Sequence, residues 1–173
     1  MLRRRALHFL AGLALSCPAA GTVRGADLLD GLQARFDRET DGVRKAKLIP
    51  RLGKAEFARA QLEIDAGNYE NALKQFENYR DNVRAALAAL KTGHPDAERH
   101  PGGYRQLEEH VREAVRIVRD TDASIGADFR PHLAQIRQDL EKLDVDLLSR
   151  LFPRHPGGKT GAKPAPKPPK SIP

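Results

Sequence analysis

Apolar side chains recur at steps of three and four along most of the chain, the spacing that places residues on one face of an α-helix. This pattern predicts five helical segments, over residues 26–40, 42–66, 68–92, 103–120 and 129–152. No β-branched run alternates with a period of two, so strands are not expected. The predicted fold class is all-α, an antiparallel helical bundle of four to five helices.

The third segment carries the longest unbroken apolar stripe. Strict 3-4 spacing makes a narrow seam that packs against another helix at a crossing angle of about 20°. The fourth and fifth segments repeat this spacing, so the stripes are expected to form the core. A stripe that the bundle leaves uncovered would let two copies associate as a homo-oligomer. The stripe of the third segment is Tyr69, Ala72, Phe76, Tyr79, Val83, Ala86 and Leu90.

The second segment carries two stripes, and two faces to bury predict a central helix. Leu52 and Leu62 belong to one stripe, and Phe57 and Ile64 belong to the other. Pro50 lies early in this segment. Because proline lacks the backbone donor and crowds the preceding turn, Pro50 either kinks the helix or lies in the first turn of a helix that starts there.

The first 25 residues have the three parts of a secretory signal peptide. Three arginines at positions 3–5 precede a short apolar run over residues 6–15, and small residues follow. A run this short spans about half of a bilayer core, so no transmembrane segment is expected in the mature chain. The small residues allow cleavage after Gly21 or after Gly25. The predicted location is therefore periplasmic or extracellular.

Cys17 is the only cysteine in the sequence and offers an alternative end to the signal. The preceding "ALS" loosely resembles the acylation motif of bacterial lipoproteins, and lipid attached to Cys17 would anchor the chain to a membrane. If Cys17 is removed with the signal, the mature chain has no thiol for a disulfide, a nucleophile or a metal site.

The C-terminal stretch, residues 157–173, contains five prolines and four lysines and has almost no side chain to bury. It is expected to be a disordered Pro/Lys-rich tail, with weak attraction to anionic envelope polymers as its candidate role. The predicted domains are therefore a signal peptide over 1–25, a helical-bundle domain over 26–156 and this tail.

The net charge of +7 comes from the two ends of the chain. Residues 1–25 and 157–173 each hold four basic residues and no acidic one, which leaves 22 basic against 23 acidic residues in the middle. A nucleic-acid-binding protein carries its positive charge on the folded surface. A nucleic-acid partner is therefore not expected.

Motifs for chemistry are scarce, and no catalytic, cofactor-binding or metal-binding residue is predicted. There is no Glu-x-x-His pair, HExxH or GxSxG motif. The loop "GHPDAERHPGG" gathers four side chains that bind metals in other proteins, but such a loop is more often a polar connection. Those side chains are His94, Asp96, Glu98 and His100.

Gly67, Tyr69, Ala72 and Phe76 fit the pattern G-x-Y-x-x-A-x-x-x-F, which resembles the second half of a tetratricopeptide repeat over residues 54–80. No second copy follows at a spacing near 34 residues, so the peptide groove of stacked repeats is not implied. Residues 39–154 as a whole resemble an uncharacterised family of exported bacterial helical proteins. The segments that carry this resemblance are "ETDGVRKAKLIPRLGKAEF", "GNYENALKQFENYRDNVRAAL", "HPGGYRQLEEHVRE" and "LLSRLFPR".

These observations favour an exported, non-enzymatic helical interaction or scaffold module whose partner is a protein or a component of the cell envelope. The alternative is a helical bundle that binds a small ligand or a metal in the envelope. An apolar groove left open beside Phe57 and Ile64 would favour the first function. Converging histidine and carboxylate side chains would favour the second.

Overall fold

The computed structural model describes residues 22–153, and within that range it confirms the all-α prediction. It contains five α-helices, joined by short connections and by one 3-10 turn at Ala127–Phe129. Most of the predicted signal peptide and the whole predicted tail lie outside the described residues. The helices are α1 (Thr22–Arg38), α2 (Gly42–Asp65), α3 (Tyr69–Gly93), α4 (Pro101–Thr121) and α5 (Arg130–Leu151).

The helix boundaries follow the predicted ones closely for α2, α3 and α5. Helix α1 begins four residues earlier than predicted, because the expected start was set by the end of the signal peptide and not by a helix-stopping residue. Helix α4 begins two residues earlier than predicted, at Pro101. Proline is tolerated in the first turn, because the backbone N–H groups of that turn have no partner within the helix. Gly103 then allows close packing, because a Cβ there would lie 2.7 Å from Leu90 Cδ2.

The turn between α2 and α3 depends on Gly67, whose φ of 74° is in the left-handed region that favours glycine. The Gly67 amide donates to the Ile64 carbonyl at 2.9 Å, and the Asn68 amide donates to the Glu63 carbonyl at 2.8 Å. These two bonds form a Schellman motif, which satisfies the last carbonyls of α2. The chain reverses within three residues, and α2 and α3 pack against each other as an antiparallel hairpin.

The other end of α2 also lies against α3. The Asp41 side chain caps α2 by accepting a hydrogen bond from the Arg44 amide at 2.8 Å. Gly42 begins the helix so close to α3 that an added Cβ would lie 2.6 Å from the backbone of Ala89 and Leu90. From there α2 runs without interruption through Pro50, which excludes a helix that starts at this proline.

Helix α2 is central, as its two stripes predict, because it contacts α1, α3 and α4. Helices α4 and α5 form a second hairpin, and α5 also packs against α3. Phe36 on α1 is 1% exposed, and Lys45 Nζ of α2 lies 4.5 Å from the centroid of its ring. The stripe of α3 from Ala72 to Leu90 is buried, with Tyr69 half-buried at its start. Among residues 22–153, no helix is both long and apolar enough to cross a membrane.

Candidate functional site

An open groove of about 540 Å³ runs between α2 and α4 on the surface of the bundle. Its floor is apolar and includes Phe57 and Ile117, both half-buried. We call it the apolar groove. An open groove is thus present beside Phe57, but not beside Ile64, which is 7% exposed and lies in the core. The residues that line the apolar groove are Pro50, Arg51, Lys54, Phe57, His110, Glu113 and Ile117.

Phe57 is held in place by aromatic neighbours from α3. Its ring centroid lies 4.6 Å from that of Tyr79 and 5.9 Å from that of Phe76. Gly53, one turn earlier on α2, leaves the room that the Tyr79 ring occupies, since a Cβ there would lie 2.6 Å from Tyr79 Cε2. The floor of the groove is therefore an extension of the core.

His110 forms part of the α4 wall. The Tyr79 hydroxyl donates to its backbone carbonyl at 3.2 Å, and its Nδ1 atom lies 3.8 Å from Glu113 Oε2. Burial lowers the pKa of the His110 imidazole, although Glu113 opposes that shift. His110 is therefore mainly neutral at pH 7, and the groove wall presents a carboxylate beside an uncharged imidazole.

A second hollow, of about 470 Å³, lies beside the first where α1, α2 and α4 meet. We call it the basic cleft. Arg44 donates twice to the Glu39 carboxylate, at 3.0 and 3.1 Å, and these bonds lower the pKa of Glu39. The other basic side chains of the cleft form no ion pair with any described residue. Its lining residues are Arg35, Glu39, Arg44, Lys47, Leu48, Pro50, Arg51 and Gln106.

Side chains from α1, α2 and α3 form a buried polar junction. Glu56 is 1% exposed, and its Oε1 atom accepts a hydrogen bond from Asn82 Nδ2 at 3.0 Å. Asn82 and Gln33 also exchange two hydrogen bonds, of 2.9 and 3.1 Å, which tie α1 to α3. Glu56 Oε2 has no hydrogen-bond partner among the described residues. Burial raises the pKa of Glu56 to about 8, with a smaller opposing effect of Asn82.

The histidine loop between α3 and α4 does not gather its polar side chains around one point. The rings of His94 and His100 lie 5.6 Å apart, and His94 Nε2 lies 4.0 Å from Asp41. Asp96 instead pairs with Arg99 and accepts the Arg99 amide. Within residues 22–153 the structure places no three histidine, cysteine or acidic side chains where they could hold a metal ion.

The sequence carried two signals that motif searches miss. Arg44, Lys47, Arg51 and Lys54 recur at steps of three and four, so they share one face of α2 in the same way as an apolar stripe does. Glu56 stands four residues after Leu52 and four before Ala60, within an apolar stripe. The contributions of α1 and α4 to the hollows had no such signal.

Comparison with protein-family models, with curated proteins and with solved structures finds no match to this chain. What the chain does has therefore to be inferred from its own surfaces.

Proposed function

We propose that this chain is an exported, non-enzymatic helical interaction module, and that its apolar groove holds a segment of a protein partner in the cell envelope. The observation that carries the proposal is the pair Phe57 and Ile117. Both side chains are half-buried and form the floor of an open groove with a polar rim. Protein interfaces commonly place an apolar anchor in a water-excluding pocket that polar residues surround. Export rests on the signal-like sequence of residues 1–25.

The rim indicates the chemistry of the segment. Arg51 and Lys54 stand on the α2 side and form no ion pair with any described residue. Glu113 is the only acidic side chain among the described residues that line the groove. The groove therefore fits a segment with one large apolar side chain and at least one carboxylate. A small ligand and a second copy of this chain are the competing occupants.

A charge placed on the floor of the groove tests the proposal. The mature protein and its Ile117→Glu variant are each used to capture proteins from envelope extract, and the captured proteins are quantified by mass spectrometry. The matched control is Val145→Glu, because Val145 is 65% exposed on α5 and does not line the groove. Thermal unfolding of all three proteins establishes that they are folded.

We expect at least one protein to be captured by the wild type and by Val145→Glu, and to be reduced about tenfold or more by Ile117→Glu. The purified captured protein must then bind directly with the same pattern. Equal capture by all three would overturn the proposal. It would also fail if the groove-dependent species proved to be a small molecule released on denaturation, or this chain itself.

A further inference from the structure

The apolar groove and the basic cleft form one continuous surface. Pro50 and Arg51 line both hollows, so one leads into the other along α2. From Lys47 to Phe57 the helix axis advances roughly 15 Å, at about 1.5 Å per residue. An extended peptide covers that distance with about five residues, at about 3.3 Å each. We call the combined surface the trough.

The cleft half of the trough has an excess of positive charge. Arg44 and Glu39 neutralise each other, but Arg35, Lys47 and Arg51 have no ion pair or side-chain hydrogen bond within the described residues. The middle of the sequence as a whole is close to neutral, with 22 basic and 23 acidic residues outside the two ends. The packing of α1 against α2 therefore concentrates positive charge on one face of the bundle. The near-neutral composition of the middle of the sequence gives no sign of this local charge.

Helix α2 holds these cations in a row because of their spacing. Lys47, Arg51 and Lys54 follow one another at steps of four and three, which places them on neighbouring turns of one face. Arg35 faces the row from α1 across the cleft. Carboxylates spaced along an extended segment would meet several of these cations at once.

The shape of the trough favours a protein segment over a membrane surface. Among the described residues, the large apolar side chains with most exposure are Leu28, Leu62, Val145 and Phe152, and none of them lines the trough. A protein that lies on a bilayer inserts protruding apolar side chains beside its basic residues. Here the apolar floor is recessed between two helices, where an extended segment reaches it and a flat bilayer does not.

We infer that the trough binds an acidic segment of a partner protein, with its carboxylates against Arg35, Lys47 and Arg51 and an apolar side chain on Phe57 and Ile117. This inference rests on the proposed function and specifies the chemistry of the partner. Charge complementarity of this kind chooses the partner and fixes the register of the segment in the groove.

A random-peptide display library selected against the immobilised mature protein tests the inference. Selected peptides are then measured by fluorescence anisotropy against the wild type, Ile117→Glu and the double variant Lys47→Glu/Arg51→Glu. The control is Lys74→Glu/Arg130→Glu, which changes the net charge equally at exposed positions outside the trough. Vesicles of phosphatidylglycerol with phosphatidylcholine are sedimented with the same proteins.

We expect peptides with two or more acidic residues about five positions from a large apolar residue. The affinity of these peptides for the trough double variant should be about tenfold or more lower than for the wild type. Their affinity for the control should stay within about twofold of the wild-type value. Added salt should weaken binding to the wild type. Vesicles should retain the wild type no better than the trough double variant.

Two results distinguish failure of this inference from failure of the proposed function. Peptides that depend on Ile117 but lack acidic residues, and that survive the trough double variant, would overturn the inference and leave the interaction function intact. An absence of any peptide that depends on Ile117 would overturn both. Vesicle binding that is lost in the trough double variant, without acidic peptides, would replace the protein segment with an anionic membrane.

Discussion

The two sides of α3 hold carboxylates in opposite ways. Toward α2 and α1, Glu56 is almost fully buried and accepts one hydrogen bond, from Asn82, with no cation paired to it among the described residues. Toward α5, Asp139 lies 2.8 Å from Arg84 and 3.6 Å from Arg80, and Asp146 lies 2.6 Å from Lys91. Helix α3 therefore contacts an unpaired, buried carboxyl group on one side and forms ion pairs on the other.

This difference has a clear physical origin. Burial dominates at Glu56 and raises its pKa to about 8, so this side chain is largely protonated at pH 7. Burial also acts on Asp139 and Asp146, but the hydrogen bonds from their basic partners outweigh it and lower the pKa of both. Glu56, which has no cation beside it, is therefore the one of these three carboxyl groups whose charge can change near neutral pH.

The side of α3 that faces α2 should carry most of the stability. Phe76 is 2% exposed and packs against Phe57, so Phe76→Ala should reduce the free energy of unfolding by about 3–5 kcal/mol. Urea unfolding measures this change. The control is Phe152→Ala, which removes a ring that is 66% exposed and should change stability by less than about 0.5 kcal/mol. A Phe76→Ala loss below about 1 kcal/mol would show that α2 and α3 do not share this core.

The buried junction predicts a stability that falls as the pH rises. The pKa of Glu56 is about 8 in the folded protein and 4.5 as the reference value, so the protonated side chain favours the folded state. Its contribution is complete below pH 4.5 and disappears as the pH rises through 8. Between pH 4.5 and pH 7 the loss is about 3 kcal/mol, at about 1.4 kcal/mol per pKa unit.

Glu56→Gln isolates this contribution, because the glutamine keeps an acceptor for Asn82 and cannot ionise. Urea unfolding of both proteins from about pH 5 to about pH 8 should give similar stability at the lower end and a more stable variant at the upper end. Glu109→Gln, at an exposed position on α4, is the control and should leave the pH profile unchanged. Parallel pH profiles of the wild type and Glu56→Gln would show that Glu56 is ionised throughout.

Close contact between helix ends makes a third, smaller test of the α2 side. Gly42→Ala should reduce the free energy of unfolding by about 1–3 kcal/mol, because the new methyl group would clash with the backbone of Ala89 and Leu90. A helix backbone cannot move away from such a clash as easily as a flexible side chain can. Gly31→Ala is the matched control within α1. Apart from the neighbouring backbone of α1 itself, no described atom lies within 4 Å of its added Cβ, so the alanine should stabilise the helix by about 0.5–1 kcal/mol. Equal effects at both glycines would contradict the close approach.

The α5 side should be the least sensitive to substitution. Asp139→Asn removes the pairing with Arg84 and Arg80 and should cost about 1 kcal/mol or less, since these groups are partly exposed. The lowered pKa of Asp139 means that its contribution is present at neutral pH and is lost as the pH falls through the folded-state value. The cost should shrink in high salt. A salt-independent loss above about 3 kcal/mol would place Asp139 with Glu56 as a buried group.

Much of the fold could be predicted from the sequence because its stripes are strict. The 3-4 spacing in α3 needs no knowledge of the partner helix, and Gly67 and Gly93 mark its two ends. The choice of partner was harder, because Gly42 and Gly103 reveal their roles only when Ala89 and Leu90 lie against them. The resemblance to a tetratricopeptide hairpin stays a prediction.

The candidate site was less predictable than the fold. Phe57 lies on a predicted apolar stripe, but Ile117 enters the apolar groove from α4, a helix far away in the sequence, and Arg35 enters the basic cleft from α1. Glu56 could have been found, since a carboxyl within an apolar stripe is either paired or protonated. Glu56 is linked to Gln33 only through Asn82, and this link depends on how α1 packs, which local spacing does not determine.

Tyr79 and Tyr104 also give the protein its own optical reporters. The sequence has three tyrosines and no tryptophan, so the near-ultraviolet absorbance at the tyrosine band comes from three phenol rings. Two of those rings are fully buried, and each donates its hydroxyl to a backbone carbonyl, at His110 and at His94. Burial raises the pKa of both phenols, so phenolate should form at these rings only as the bundle opens. An alkaline absorbance titration would therefore follow the opening of the core without any added dye or label.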